Sequence, residues 1–331
     1  MRQYQYNGQQ VPPVRRNSYG SQLWYIWGPI VVKLIIGIIV SGVTGAAIGS
    51  AYLLKHYGIS VQSIDNEKLM QQFLNIYQRD YTQIMQAVTM EAYKLSAYVE
   101  GVAALITIPI LLLMFRKDRL REKTVGFTPN KKAPLWKYAA VALLSAALCV
   151  GVNNLLIIGN ITTISEEYQS VMVGFYSAPL PVQALSLGIL VPICEELVFR
   201  GLVYQRLRMR SGFVMAALNS ALIFSLLHGN VVQMIYAFLL GVVYAYMYEK
   251  YGSVKAPIMA HMVANLISVF ATYYKCFEWM AKVPMRMGII TIACGTIASS
   301  MYVWMRGIDE RPDHPDKPKH TLNQENLTSQ L

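Results

Sequence analysis

The sequence predicts an all-α fold, a polytopic membrane helix bundle of about eight transmembrane helices, and three observations carry that prediction. Apolar residues make up 54% of the 331 positions and charged residues only 14%, with a mean hydropathy of +0.35. Soluble domains carry about 25% charged residues. The apolar residues also gather in runs close to the ~20 needed to cross a bilayer. The net charge of +11 falls mostly in short segments between those runs. That placement marks membrane topology and not nucleic-acid binding. The partners implied are the lipid bilayer and a peptide or membrane-protein substrate, with no nucleic acid.

The chain opens with a polar tail, residues 1–22, of a composition that predicts disorder. It holds no apolar core, so no signal peptide is expected ahead of the first span. Eight runs follow, near 29–54, 98–115, 138–158, 181–199, 213–227, 231–248, 254–273 and 287–303. The first, third and last read as plain apolar runs without acids. The fifth is short. Between the first two, residues 55–97 carry Leu69, Phe73, Ile76, Tyr77, Ile84 and Met85 at helical intervals. This predicts an external amphipathic helix, on the outer surface or packed over the bundle. The organisation expected is therefore N-terminal helices over 23–180, a core over 181–274, a last span over 275–305 and a disordered tail over 306–331.

Loop charge orients these spans. Basic residues fill the connection 116–137 (eight of them, against Asp118 and Glu122), Arg206, Arg208 and Arg210, and both tails. The connection 159–180 has Glu166 and Glu167 and no Lys or Arg. An even number of spans with both termini cytoplasmic satisfies every segment. The four cysteines, Cys149, Cys194, Cys276 and Cys294, show no metal or disulfide spacing.

Charges inside the apolar runs need a reason, because each costs ~2.5–3.5 kcal/mol near the bilayer centre. The stretch LVPICEELVFRGL holds Glu195, Glu196 and Arg200. Residues i and i+4 share a helix face, so Glu196 lies beneath Arg200 and pairs with it. Glu195 points elsewhere and needs a partner from another helix. Only two of five histidines lie within apolar runs, His228 and His261, and Asn265 follows His261 by one turn. Each could alone be interhelical glue. Together the six point to a polar catalytic or transport site. Cys194 could suggest a thiol nucleophile, but the sequence puts no His beside it.

These residues carry a family resemblance. GluGluLeuValPheArg (195–200), PheSerLeuLeuHis (224–228) and HisMetValAlaAsn (261–265) resemble, in order, the EExxxR, FxxxH and HxxxN motifs of the CAAX-protease and bacteriocin-processing (CPBP, or Abi) family of intramembrane proteases. The likeness covers about 181–273. It implies that Glu195 and His228 activate a water, that His261 and Asn265 stabilise the oxyanion, and that Glu196 with Arg200 is a structural brace. A divalent metal such as zinc is left open; if one is held, Glu195, His228 and His261 are the set, with an open position for water.

The function expected is an intramembrane (metallo)endopeptidase that cuts a peptide bond near the cytoplasmic leaflet of a bacterial plasma membrane. The alternative is a catalytically silent scaffold of the same fold that regulates a sensor kinase or cell-wall enzyme. A proton-coupled transporter lacks the internal repeat expected of many such proteins. Counting helical rise puts Glu195 and His261 ~8–12 Å from the cytoplasmic edge and His228 ~24 Å. A tilted, bent or re-entrant fifth segment is needed to bring them together.

Overall fold

The computed structural model describes residues 19–60, 67–124, 132–161 and 165–308. The sequence readings on both tails therefore lie largely outside the described residues. Ten helical units follow in order. They are α1 (Tyr19–Tyr57), α2 (Glu67–Thr124), α3 (Tyr138–Ile158), α4 (Glu166–Tyr176), α5 (Leu180–Arg208), α6 (Phe213–Leu226), α7 (Val231–Tyr251), α8 (Lys255–Tyr273), α9 (Cys276–Ala281) and α10 (Pro284–Arg306). Seven of them are long and apolar enough to cross a bilayer, and α6 is a shorter apolar helix. No strand occurs among the described residues.

Two boundaries differ from the sequence reading. The amphipathic helix expected over 55–97 is not separate. It is joined to the second span: the 58 residues of α2 are two helices meeting at a kink at Asp80 (φ −113°, ψ 17°), and the second of them continues through the span. At 1.5 Å per residue α2 is about 87 Å long, far more than the ~30 Å hydrocarbon core. Its N-terminal arm is propped by α4, where Gly174 sits against the Tyr93 carbonyl and Ser177 donates to the Lys94 carbonyl. The fourth span does not stop at Phe199 either. It continues to Arg208, because Arg206 and Arg208 find acidic partners and need not reach water.

One end of the bundle collects the basic segments. Arg206 pairs with Asp118 of α2 at 2.5 Å and also meets the Tyr25 carbonyl of α1. Arg208 pairs with Glu249 of α7 at 3.0 Å, and Arg119 with Glu122 at 2.5 Å. The Tyr251 hydroxyl donates to the Lys137 carbonyl ahead of α3. Charged residues are thus knitted together where five helices end.

The centre of the bundle is α5, and it is not a uniform α-helix. Segments of π-helix, Ser186–Leu190 and Leu197–Tyr204, flank the single α-turn Val191–Glu196 that bears the glutamates. π-Turns inside helices mark functional sites often. Each one here has a carbonyl braced by a neighbouring helix. Asn265 of α8 donates to Leu187 (2.8 Å), and Ser220 of α6 donates to Phe199 (2.9 Å).

Candidate active site

Glu196 and Arg200 are fully buried, and Arg200 Nη1 donates to Glu196 Oε1 at 2.9 Å, as the i,i+4 spacing predicts. The guanidinium also lies over the Phe224 ring (4.6 Å) and near Tyr244 (5.5 Å). Such cation–π contacts gain strength when desolvated. Gly241 makes room for it, since a Cβ there would stand 2.8 Å from Arg200 Nη2 and 3.2 Å from the Ala221 backbone.

Glu196 has a second partner that local spacing could not reveal. His261 Nδ1 sits 2.9 Å from the same Oε1, a contact between residues 65 apart in sequence. The brace therefore extends to His261 and sets its ring orientation, as a carboxylate does for a catalytic imidazole. With Nδ1 so engaged, His261 turns Nε2 toward Glu195, 3.9 Å from Oε2. The histidine shown nearest Glu195 is thus His261. His228, the partner expected for Glu195, lines the same cavity. Its Nδ1 lies 2.9 Å from the Phe224 carbonyl. A carbonyl only accepts, so Nδ1 carries the hydrogen and Nε2 is left as the basic nitrogen. The FxxxH spacing is what places that carbonyl one turn below the ring. The Phe224 ring packs edge-on to both His228 (4.8 Å) and His261 (6.0 Å).

Asn265 lines the cavity with one N–H already committed to the Leu187 carbonyl, which leaves its second N–H available. For Glu195 the depth conflict in the sequence reading disappears once α5 runs on to Arg208, while His261 stays about 9 Å from the start of α8 at Lys255. Glu195 then lies about 20 Å along its helix from that end, and His228 about 22 Å from Phe213. The fifth span is short because the chain turns at Gly229 (φ 74°), with the Asn230 side chain capping α7 through Gln233 N at 2.9 Å.

Two further charges reach this cavity, one from the first helix, which the sequence reading took as plain, and one from the second, whose acid it did not weigh. Lys33 of α1 places Nζ 3.5 Å from Glu195 Oε1, and Glu100 of α2 lines the same space. The signal for both was present: a lone charge in an apolar run costs as much as the motif glutamates do.

The cavity has a volume of about 580 Å³, within the range of small-molecule and peptide sites. Among the spanning helices, α3 lines it from Leu148 onward, α5 from Leu187 to Phe199, α7 from Gln233 to Tyr244 and α8 from His261 onward, so the cavity is offset from the basic end. In addition, α4 supplies an apolar and aromatic wall that includes Val171, Met172 and Phe175.

A three-ligand metal site does not fit this arrangement. Among the described residues no three His, Cys, Asp or Glu side chains come together to hold an ion. An ammonium already stands at Glu195 Oε1.

Comparison with known proteins agrees with the geometry. Residues 177–267 match the family described as type II CAAX prenyl endopeptidase Rce1-like. The chain is also 25% identical over 206 residues to YdiL of Bacillus subtilis (strain 168), provisionally named a membrane peptidase; the match spans 61% of this chain and 81% of the relative. No solved structure matches it. The matched segment begins just ahead of α5, ends within α8 and contains all three motifs converging on the cavity, so the likeness to CAAX-type membrane peptidases falls on the residues that build the site.

Proposed function

We propose that the protein is an intramembrane endopeptidase in which Glu195 and His228 activate a water against a peptide bond held in the cavity. The observation that carries this reading is the division of labour between the paired glutamates. Glu196 is consumed by Arg200 and His261, while Glu195 faces the cavity. Glu195 accepts the water proton as the hydroxide attacks the carbonyl carbon. The developing oxyanion is met by the free N–H of Asn265 and, when its ring is protonated, by Nε2–H of His261. The tetrahedral intermediate collapses as the C–N bond breaks, and Glu195 returns the proton to the leaving amine. His228 Nε2 holds the attacking water by accepting its second hydrogen.

With the basic end in the cytoplasm, as loop charge indicates, the cavity extends into the outer half of the bundle. The bond is then cut at mid-depth, deeper than the cytoplasmic leaflet that charge counting alone suggests. The apolar walls suit an unfolded stretch of an apolar peptide. Comparative proteomics of peptides released by cells carrying the wild type or Glu195→Gln tests the reading. Fragments that vanish in the variant support it. Identical fragment pools, with every phenotype intact, would favour a scaffold.

A further inference from the structure

Lys33 is the charged residue that α1 carries into the bundle. From Leu23 to Tyr57 this helix is apolar and mostly faces outward, with 6% of its most apolar window buried. A lysine near the end of a span escapes to the surface by stretching its stem. Lys33 does not do so. Its side chain is only 26% exposed, and its ammonium is 3.5 Å from Oε1 of Glu195, which is 13% exposed. Glu100 on α2 lines the same space. The two acids and one ammonium come from three different helices, α1, α2 and α5. Lys33 and Glu100 both lie outside residues 177–267.

We propose that Lys33 is a positioning residue of the active centre, the counter-ion that holds the Glu195 carboxylate toward His261 and the bound water. This deepens the peptidase reading and rests on it. Two carboxylates on adjacent positions cannot both use Arg200, and Glu196 takes it. Glu195 would otherwise be a lone charge in a cavity of low polarity, free to swing or to accept a proton. The ammonium on Oε1 leaves Oε2 on the side of His261 Nε2, at 3.9 Å, where a base must work. The first helix is therefore part of the catalytic apparatus, although the family match does not include it.

Two measurements on the purified full chain test this. The first is cleavage of a substrate peptide by wild type, Lys33→Met and Lys33→Arg. Methionine keeps the length and packing of the stem and removes the charge. The expected result is a fall in kcat of about 10²-fold for Lys33→Met with KM little changed, and recovery of much of that loss in Lys33→Arg. A packing role predicts the reverse order, with methionine active and arginine impaired, and that order would overturn the proposal. The second is a thermal-melting cycle over Lys33→Met, Glu195→Gln and the double variant. Each single change strands a buried partner, so the double variant should regain most of the combined loss in Tm. Strictly additive shifts overturn the pairing. Coupling in the melting cycle with no cleavage by wild type would sink the peptidase reading and leave the ion pair standing.

Discussion

At the scale of the residue, the paired glutamates are chemically alike and structurally opposite. Glu195→Gln keeps shape and removes the base, so the protein should lose cleavage by at least ~10²-fold, with a smaller fall in Tm than Glu196→Gln because its partner Lys33 is partly exposed. Glu196→Gln strands Arg200 in the core and loosens His261. Breaking a buried pair from one side costs ~3–5 kcal/mol, so this variant should melt early as well as lose activity. Melting and turnover of both variants decide the assignment, and equal yields with equal residual activity would reverse it. Asn265→Ala should lower turnover per folded molecule by ~10²-fold through loss of a donor. It should also lower stability by ~1 kcal/mol, because the Leu187 carbonyl loses its brace. A protein that melts early yet turns over normally would return Asn265 to a purely bracing part. The Glu196–Arg200 pair was legible in the sequence because its geometry is local, one helical turn. Glu196 with His261 and Lys33 with Glu195 were not legible, since each joins helices far apart in the chain and no periodicity reports such a meeting.

At the scale of the element, α5 is where pattern reading was least able to follow the chain. Its apolar run appeared to close at Phe199, yet the π-turns and the acidic partners of Arg206 and Arg208 carry it nine residues further. Hydrophobic spacing reports which face is buried; it does not report a widened turn. The close packing around Arg200 gives a direct test. Gly241→Ala places a methyl against the guanidinium of Arg200 and against the α6 backbone at Ala221, both fully buried. Overpacking of this kind costs ~1–3 kcal/mol. Differential scanning of the variant in detergent should show that drop; an unchanged Tm would mean that α6 and α7 separate easily. The short α6 and the Gly229-Asn230 turn, by contrast, were readable from composition and turn chemistry.

At the scale of the whole molecule, the basic ends of α2, α5 and α7 meet, which gives the charge count a physical basis. If that end is cytoplasmic, exposed Cys276, at the start of α9, lies on the outer side. A membrane-impermeant maleimide should label it in intact cells and fail to label Cys276→Ser. A cysteine placed at exposed Lys132 in that background should react only after permeabilisation. Labelling in the opposite sense inverts the topology. The metal question is also settled on the whole enzyme. The geometry predicts that prolonged chelation and dialysis leave cleavage within about twofold of the untreated protein, whereas loss restored by zinc would show that the ligands rearrange on binding.

A hydrolase set among lipid-facing helices has a supply problem, because every turnover consumes a water that hydrocarbon does not deliver. The face of α8 that lines the cavity reads, from its outer end inward, Thr272, Ser268, Asn265, His261. The steps are four, three and four residues, so hydroxyl, hydroxyl, amide and imidazole stand in one file along the helix. Tyr176 of α4 joins that file at Ser268, its hydroxyl 3.0 Å from the serine oxygen. The remaining lining from α3 and α4 is largely apolar, with Leu148, Val152, Leu156, Val171, Met172 and Phe175. A file of hydroxyl, amide and imidazole groups would offer solvent hydrogen bonds all the way to the base, next to apolar lining that suits the chain to be cut.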